Sequence, residues 1–567
     1  MNQTRVFLIF AWLMVATLLW MEWGKEQATP PAAAATTTPA TQGAVPTNPA
    51  VPGAVPNAPT VAAPAAPAGT NPGAAAATAP TVTVTTDVLK VVLDGGEVRQ
   101  ADLIGYPSTA DDNSPPVRLF AQDPANFFVA QTGWVSNKGP TPTHLSGFVP
   151  EGGTREFVLA DGAKAVEVPF VWTGPNGVTI RRTFTFGRSN YVVNVRDEVI
   201  NAGSEPWQGS VYRQLSRVPR ALVKKGPMSA EQYSFQGAAW YSSTDKYEKR
   251  KYDDFVDDGT LDKQVTGGWI GMLQHHFFAA WIPGSNDTGT FSLATVQGPG
   301  GTNYVIREVG PGVNVAPGAT ASTEARLWVG PKLVKAIEAQ NVPGLDRAVD
   351  FSSYSLMATL ASWLFWVLEK IYRLVGNWGW AIVGLVLLIK LAMYPLSAAQ
   401  YKSMAKMRKF QPRIAQLKER YGDDRQKFQM AMMELYKKEK INPVGGCLPI
   451  LLQMPVFLAL YWMLSESVEL RHAPWIGWIT DLTSRDPYFV LPIINVAVMW
   501  FTQKLNPTTG MDPMQAKMMQ FMPLVFGVMF AFFPAGLVLY WVTNGALGLL
   551  QQWWMIKKYS DEPAQAK

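Results

Sequence analysis

The sequence predicts a membrane α-helical bundle of six transmembrane helices, five of them forming one core, joined to a large all-β domain. Three observations carry this. Apolar runs of membrane-spanning length lie near the N-terminus and again from residue 377 onward. Between them, roughly 250 residues read as short alternating strands separated by turn signals. A basic segment, 397–443, interrupts the second group of runs; it holds twelve Lys/Arg against five acids and nets +7, while the rest of the chain nets −1. With 567 residues the chain exceeds one domain, and its single cysteine, Cys447, excludes both an internal disulfide framework and a Cys-x-x-Cys metal site.

Val6–Met21 is apolar, preceded by Arg5 and closed by Trp20 and Trp23. Small residues for a cleavage site are missing just beyond it, so residues 1–24 read as a retained transmembrane anchor with its N-terminus in the cytoplasm. Residues 25–86 are almost entirely Ala, Pro, Thr, Gly and Val. Such a stretch cannot bury enough surface to offset its ordering entropy and reads as a disordered tether outside the membrane.

Residues 87–350 read as a β-sandwich. Val88–Leu93 leads into the turn signal Asp94-Gly95-Gly96; Ile180–Phe186 alternates, turns at Gly187–Asn190 and resumes as Tyr191–Val195, a hairpin with one buried face. Adjacent residues on a strand point to opposite faces, so His275 and His276 are not expected to chelate one metal; they and His144 read as structural. Residues 351–375 follow, with apolar side chains at 356, 360, 363, 364, 367, 371 and 374, which is helical spacing. A span there would put the basic segment on the wrong side of the membrane, so an interfacial amphipathic helix is expected.

The helical core covers 376–558, with spans at Asn377–Leu396, Val444–Leu464, Pro487–Gln503 and Phe521–Ile556. The last would be about 54 Å long as one helix, against a hydrocarbon core of about 30 Å. Pro534 and Gly536 near its middle divide it into two spans joined by a tight turn, leaving residues 559–567 as a cytoplasmic tail. Lys390 lies within the first of these spans, among eight large aliphatics between Ile382 and Leu391. It either snorkels to the headgroups or faces a water-filled cavity between helices. Gln453, Asn495, Gln520, Thr543 and Asn544 could line such a cavity; each alone also fits an interhelical hydrogen-bond group. The 397–443 segment reads as a helical hairpin, its arms running from about Ser397 to Arg420 and, after Gly422 and a cap at Asp423 or Asp424, to about Lys440. It is either a solvated hairpin obeying the positive-inside bias or a dock for anionic partners such as ribosomal RNA or lipid headgroups.

The segments GNWGWAIVGLVLLIKLAMYPLSAAQYKSMAKMRKFQP, GDDRQKF, INPVGGCLPILLQMPVFLALYWML and FPAGLVLYWVTN resemble the YidC/oxidase-assembly family of membrane protein insertases. The order of anchor, tether, β domain and five further spans extends the resemblance to its long form. The resemblance implies a periplasmic β supersandwich without catalysis, and a bacterial inner-membrane protein with both termini in the cytoplasm. It further implies a non-enzymatic insertase and chaperone without cofactor or metal, working alone or with the Sec translocon. Its groove would open to the cytoplasm and to lipid and carry one positive charge, here Lys390, where the family usually has arginine. Substrate-contacting or groove-lining positions would be Gln453, Met454, Phe457, Asn495, Gln520, Met529, Tyr540 and Trp541. The hairpin, through Lys402, Lys406, Arg408, Lys409, Arg413, Lys418 and Arg420, would dock the ribosome or the signal-recognition machinery. The remaining partners would be nascent membrane proteins and the lipid bilayer.

Residue patterns disfavour the rivals. A solute transporter would show internal repeats and paired broken helices. An intramembrane protease would place a histidine within a span, and His472 falls in a loop instead. An envelope scaffold would leave Lys390 and the hairpin dispensable.

Overall fold

The computed structural model describes residues 80–220, 234–400, 410–439, 448–505 and 513–560, apart from single positions 112, 138, 146, 256, 258, 299, 353 and 423. The N-terminal run 1–24, the linker as far as residue 79, Lys402, Lys406, Arg408, Lys409, Cys447 and the tail 561–567 lie outside these residues. The chain divides into two compact units: residues 66–405, 444–506 and 511–567 belong to one, and residues 406–443 belong to the other.

The β domain starts earlier than composition suggests. Val82–Thr85 forms a strand, antiparallel to Leu89–Leu93 and parallel to Glu156–Val158. The boundary expected at residue 87 therefore moves back into the Ala/Pro/Thr-rich stretch. The cause is local: Val82 and Val84 alternate with threonine, period two puts both valines on one face, and both are buried. These strands belong to the first of two sheets, of ten and nine strands, which enclose a common core. Asp94 shapes the first turn, its Oδ1 accepting from Gly96 and Glu97 N–H at 3.1 and 2.7 Å, while Gly95 takes φ +87°. The hairpin expected around residue 187 is present as Val178–Gly187 and Val192–Asn201, with Val193 opposite Phe186.

The alternation that buries Ile180, Phe184 and Phe186 also buries Arg182. Its Nε and Nη2 donate to Asp197, directly across the hairpin, at 2.7 and 2.6 Å, and its Nη1 donates to the Gly95 and Thr132 carbonyls. Trp134 Nε1, from the other sheet, donates to Asp197 at 2.7 Å. A pair satisfied this completely ties the two sheets in one register.

The helices begin with α1 (Ser355–Val375), which ends at Gly376; that residue has φ +68° and donates its N–H to the Tyr372 carbonyl. Ala361, Phe365 and Leu368 are buried, while Leu356, Trp363, Trp366 and Leu374 are exposed. Next, α2 (Trp378–Ala392) is capped by Asn377 and bends by 65° into α3 (Tyr394–Gln400). The span expected over 377–396 is thus bent near its end. Pro395 lacks the N–H that would bond to the α2 carbonyl four residues earlier, which explains the bend. The remaining helices of this unit are α6 (Leu448–Glu466), α7 (Val490–Leu505), α8 (Pro513–Phe530) and α9 (Ala535–Ser560). The long apolar run does divide at Pro534, where Ala535 and Gly536 N–H donate to the Ser484 and Leu482 carbonyls at 2.7 and 2.8 Å. Among the described residues no single helix is long and apolar enough to cross a membrane, and only α2 and α3 together meet that measure.

Packing follows the order α6, α1, α2, α9, α7, α8, and α6 meets α9 only sparsely. Glycines allow the closest approaches: a Cβ on Gly527 of α8 would lie 2.0 Å from Val496 Cγ2 of α7. The loop after α6 gathers the helix ends. Asp481 accepts from His472 N–H, Thr483 N–H and Ser484 Oγ, and Asp486 accepts from Leu491 N–H at the start of α7.

In the other unit, α4 (Gln411–Tyr421) and α5 (Arg425–Lys438) form a hairpin. Within the described residues the first arm covers Gln411–Tyr421, with Pro412 in its first turn; residues 401–409, through which it is expected to run from Ser397, lie outside them. Asp424 caps the second arm by accepting from Lys427 N–H at 3.0 Å. Gly422 closes the first arm in right-handed geometry, at φ −55°, so it does not act through a left-handed turn.

Candidate functional site: a half-buried lysine beneath an aromatic layer

Lys390 lies in the last turn of α2, half-buried, and among the described residues no carboxylate pairs with its ammonium. At 1.5 Å per residue it sits about 18 Å along α2 from Trp378. Gln453 of α6 lies about 20 Å from the end of its helix at Glu466, a comparable depth below the side facing the β domain. Gln453 Nε2 donates to Asn544 Oδ1 of α9 at 3.1 Å, and this hydrogen bond bridges the sparse α6–α9 contact.

Nearer the β domain, aromatic rings join α6, α8 and α9. Phe457 meets Trp541 at 4.8 Å between ring centroids, and Trp541 meets Phe530 at 5.3 Å. Phe533 then contacts Phe530 and Tyr461 at 5.8 and 6.2 Å. Tyr540, itself buried, stacks on Phe457 at 6.3 Å. Such ring pairs add specificity to apolar burial. They close the space between the two ends of the helical arc on the β-domain side, leaving Lys390 and Gln453 deeper than the layer. Tyr461, Phe530 and Phe533 were missed in the sequence, although the i,i+4 pair 457/461 lies on one helix face and Phe530 and Phe533 mark the end of α8 and the turn after it.

The structure brings Gln453, Phe457, Tyr540 and Trp541 together. It leaves Met454 and Gln520 exposed on α6 and α8, and Met529 of α8 is partly buried against the core. Asn495 is buried on α7, and its Nδ2 lies 3.7 Å from Met499 Sδ. In the hairpin, Arg413 pairs with Glu439 at 3.0 Å and lies over Phe410; Lys418 and Arg420 are exposed, Arg420 over Tyr421.

The histidines correct one expectation. His275 and His276 occupy a turn rather than a strand, so their rings do not alternate; they stack 3.8 Å apart, and Nε2 of each approaches the Ser465 carbonyl, at 2.8 and 3.3 Å. Complete burial pushes His276 well below the usual histidine value. His144 Nδ1 lies 2.7 Å from Tyr212 Oη, and burial lowers it to about 4. Among the described residues no group of His, Cys, Asp or Glu could hold a metal ion.

Two family models match the chain: "YidC periplasmic domain" over residues 81–367 and "60Kd inner membrane protein" over residues 370–562. A membrane protein insertase YidC from Stenotrophomonas maltophilia (strain K279a) is 61% identical over 571 residues, spanning 100% of this chain and 98% of that one. The corresponding protein of Xanthomonas campestris pv. campestris (strain B100) is 56% identical over 579 residues, spanning 100% and 99%. Among solved structures, an active YidC insertase with its first transmembrane domain resolved aligns with 83% of this chain and 92% of its own at 19% identity, with a TM-score of 0.37. Matches of this identity over the full length show that the chain belongs to the YidC family.

Proposed function

We propose that this protein inserts newly made segments into the bacterial inner membrane and helps them fold, alone or beside the Sec translocon. The observation that carries this reading is Lys390: a half-buried ammonium without an acidic partner among the described residues, set below an aromatic layer and level with the Gln453–Asn544 pair. An acidic or polar substrate tail would be attracted to it, since opposite charges 4 Å apart attract by about 4 kcal/mol at an effective dielectric near 20. The tail would then cross only part of the hydrocarbon within a polar groove. Burial of the substrate's apolar helix, at roughly 25 cal/mol per Å², would drive the remainder. No bond is made or broken in this scheme.

The helix lengths fit such a path. With 15, 16 and 18 residues, α2, α7 and α8 would be about 22 to 27 Å long, short of a hydrocarbon core of about 30 Å, which favours local thinning. The exposed faces of α6 and α8, with Met454 and Phe521, would receive the substrate's apolar segment. In this arrangement the chain crosses the membrane six times, the β domain is periplasmic, and α1 lies at the interface with Trp363 and Trp366 toward lipid. The hairpin, with its excess of lysine and arginine, would dock the ribosome or the signal-recognition machinery.

Reconstitution tests this function. Proteoliposomes holding the purified protein should insert a short single-span substrate into a protease-protected state, well above empty vesicles. Equal insertion by empty vesicles would refute independent insertase activity.

A further inference from the structure

The end of α6 is gripped by the β domain. Ser465 offers its carbonyl to Nε2 of both His275 and His276. Glu466, buried at the helix terminus, accepts from Ser234 Oγ at 3.1 Å and lies 4.0 Å from Lys332 Nζ. Lys332 is entirely buried, and among the described residues its ammonium has no hydrogen-bond partner. Five residues on, Arg471 donates to the Pro107 and Ser108 carbonyls at 2.7 and 3.0 Å. Lys249 meets Asp350 at 2.8 Å beside the Lys332–Glu466 pair.

A buried ammonium opposite a buried carboxylate is a poor choice for stability alone, because two apolar side chains would hold the same seam without desolvating charge. Its advantage is registry. Only one rotation and one depth of α6 bring Glu466 to Lys332, and each residue of slip would turn the helix by about 100° and move it about 1.5 Å. Pro455 removes a backbone donor in mid-helix, so the part of α6 above it, which carries Phe457, depends on its upper end for position.

We propose that Glu466, received by Lys332, is a positioning residue for insertion: the β domain sets the rotation of α6 and thereby presents Phe457 to the substrate. This inference rests on the insertase reading above and assigns the β domain a part in it.

The test uses the full-length protein in proteoliposomes with a single-span substrate of acidic tail, comparing wild type, Lys332→Glu, Glu466→Lys and the exchanged pair. A photoreactive phenylalanine replaces Phe457 on α6 or, separately, Met529 on α8. Each single variant should insert about tenfold more slowly, the scale on which misplacing a working group by about 1 Å acts. Cross-linking of substrate from position 457 should fall in parallel while that from 529 persists, and the exchanged pair should restore both rate and cross-link. Three results would overturn the proposal: single variants at wild-type rate with the 457 cross-link intact, loss of both cross-links together with a lowered unfolding midpoint, or no rescue by the exchange. If wild-type vesicles do no better than empty ones, the insertase reading itself falls.

Discussion

Gln453 and Asn544 separate the stability of the groove from its use. Their 3.1 Å hydrogen bond links α6 to α9 where the two helices otherwise meet sparsely. Gln453→Leu leaves the Asn544 amide without its partner among apolar side chains; interhelical hydrogen bonds of this kind contribute on average about 0.6 kcal/mol and at most about 1.7. A loss of about 1 kcal/mol is therefore expected for Gln453→Leu, and a similar loss for Asn544→Leu. Replacing both removes the stranded group as well, so the double variant should be close to wild type in stability, far less destabilised than the sum of the singles. Its groove, however, would have lost its polar pair. Unfolding in mixed micelles gives the stability cycle, and insertion of a polar-tailed substrate into proteoliposomes gives the function. The expected outcome is a stable double variant that inserts slowly. A double variant that inserts at the wild-type rate, or single variants that lose no stability, would refute the reasoning.

Three further predictions concern the scaffold. Arg182→Met strands the buried Asp197 carboxylate and should cost about 3–5 kcal/mol, visible as a lower denaturant midpoint, whereas Arg182→Met with Asp197→Leu should recover only part of it, since Trp134 Nε1–H and the Gly95 and Thr132 carbonyls then lose their partners. For His144, the folded-state value of about 4 lies below the unfolded value of about 6.5, so the folded chain binds fewer protons between them and stability falls as pH drops through that window. The full extent is about 3 kcal/mol, and a wild-type melting temperature should drop more steeply from pH 6.5 to 4 than that of His144→Gln, which has nothing to protonate there. Gly527→Ala should destabilise the α7–α8 contact by about 1–3 kcal/mol, since the new methyl meets Val496, and Val496→Ala should relieve it in detergent unfolding.

What could be read from the sequence was whatever short-range pattern decides. Period-two alternation located the strands on either side of residue 187 and, with Ile180 and Phe184 as neighbours, also put Arg182 on the inward face. Proline and glycine marked the break at 534 because their backbone restriction needs no partner. The same local cue is present at Pro395, where it marks the bend after the run of aliphatics. Val82 and Val84 were lost in a compositional average over the linker, although their alternation was intact. The remainder is non-local. Nothing near His275 states that it lies in a turn facing the end of a helix nearly two hundred residues later, and nothing in α6 states that Glu466 meets Lys332. The aromatic layer shows the intermediate case: α6 displays its ring pair at helical spacing, but which helices face one another is settled by packing.

The groove charge is most directly tested by comparing acidic-tailed and neutral-tailed single-span substrates in proteoliposomes holding wild type, Lys390→Arg or Lys390→Ala. The account predicts that arginine supports insertion as lysine does, and that alanine slows the acidic-tailed substrate by about tenfold while leaving the neutral one near wild type, a fraction of the 4 kcal/mol attraction available at about 4 Å. Equal insertion of both substrates by Lys390→Ala and wild type would contradict it, and would leave Lys390 as a side chain that only reaches for the headgroups.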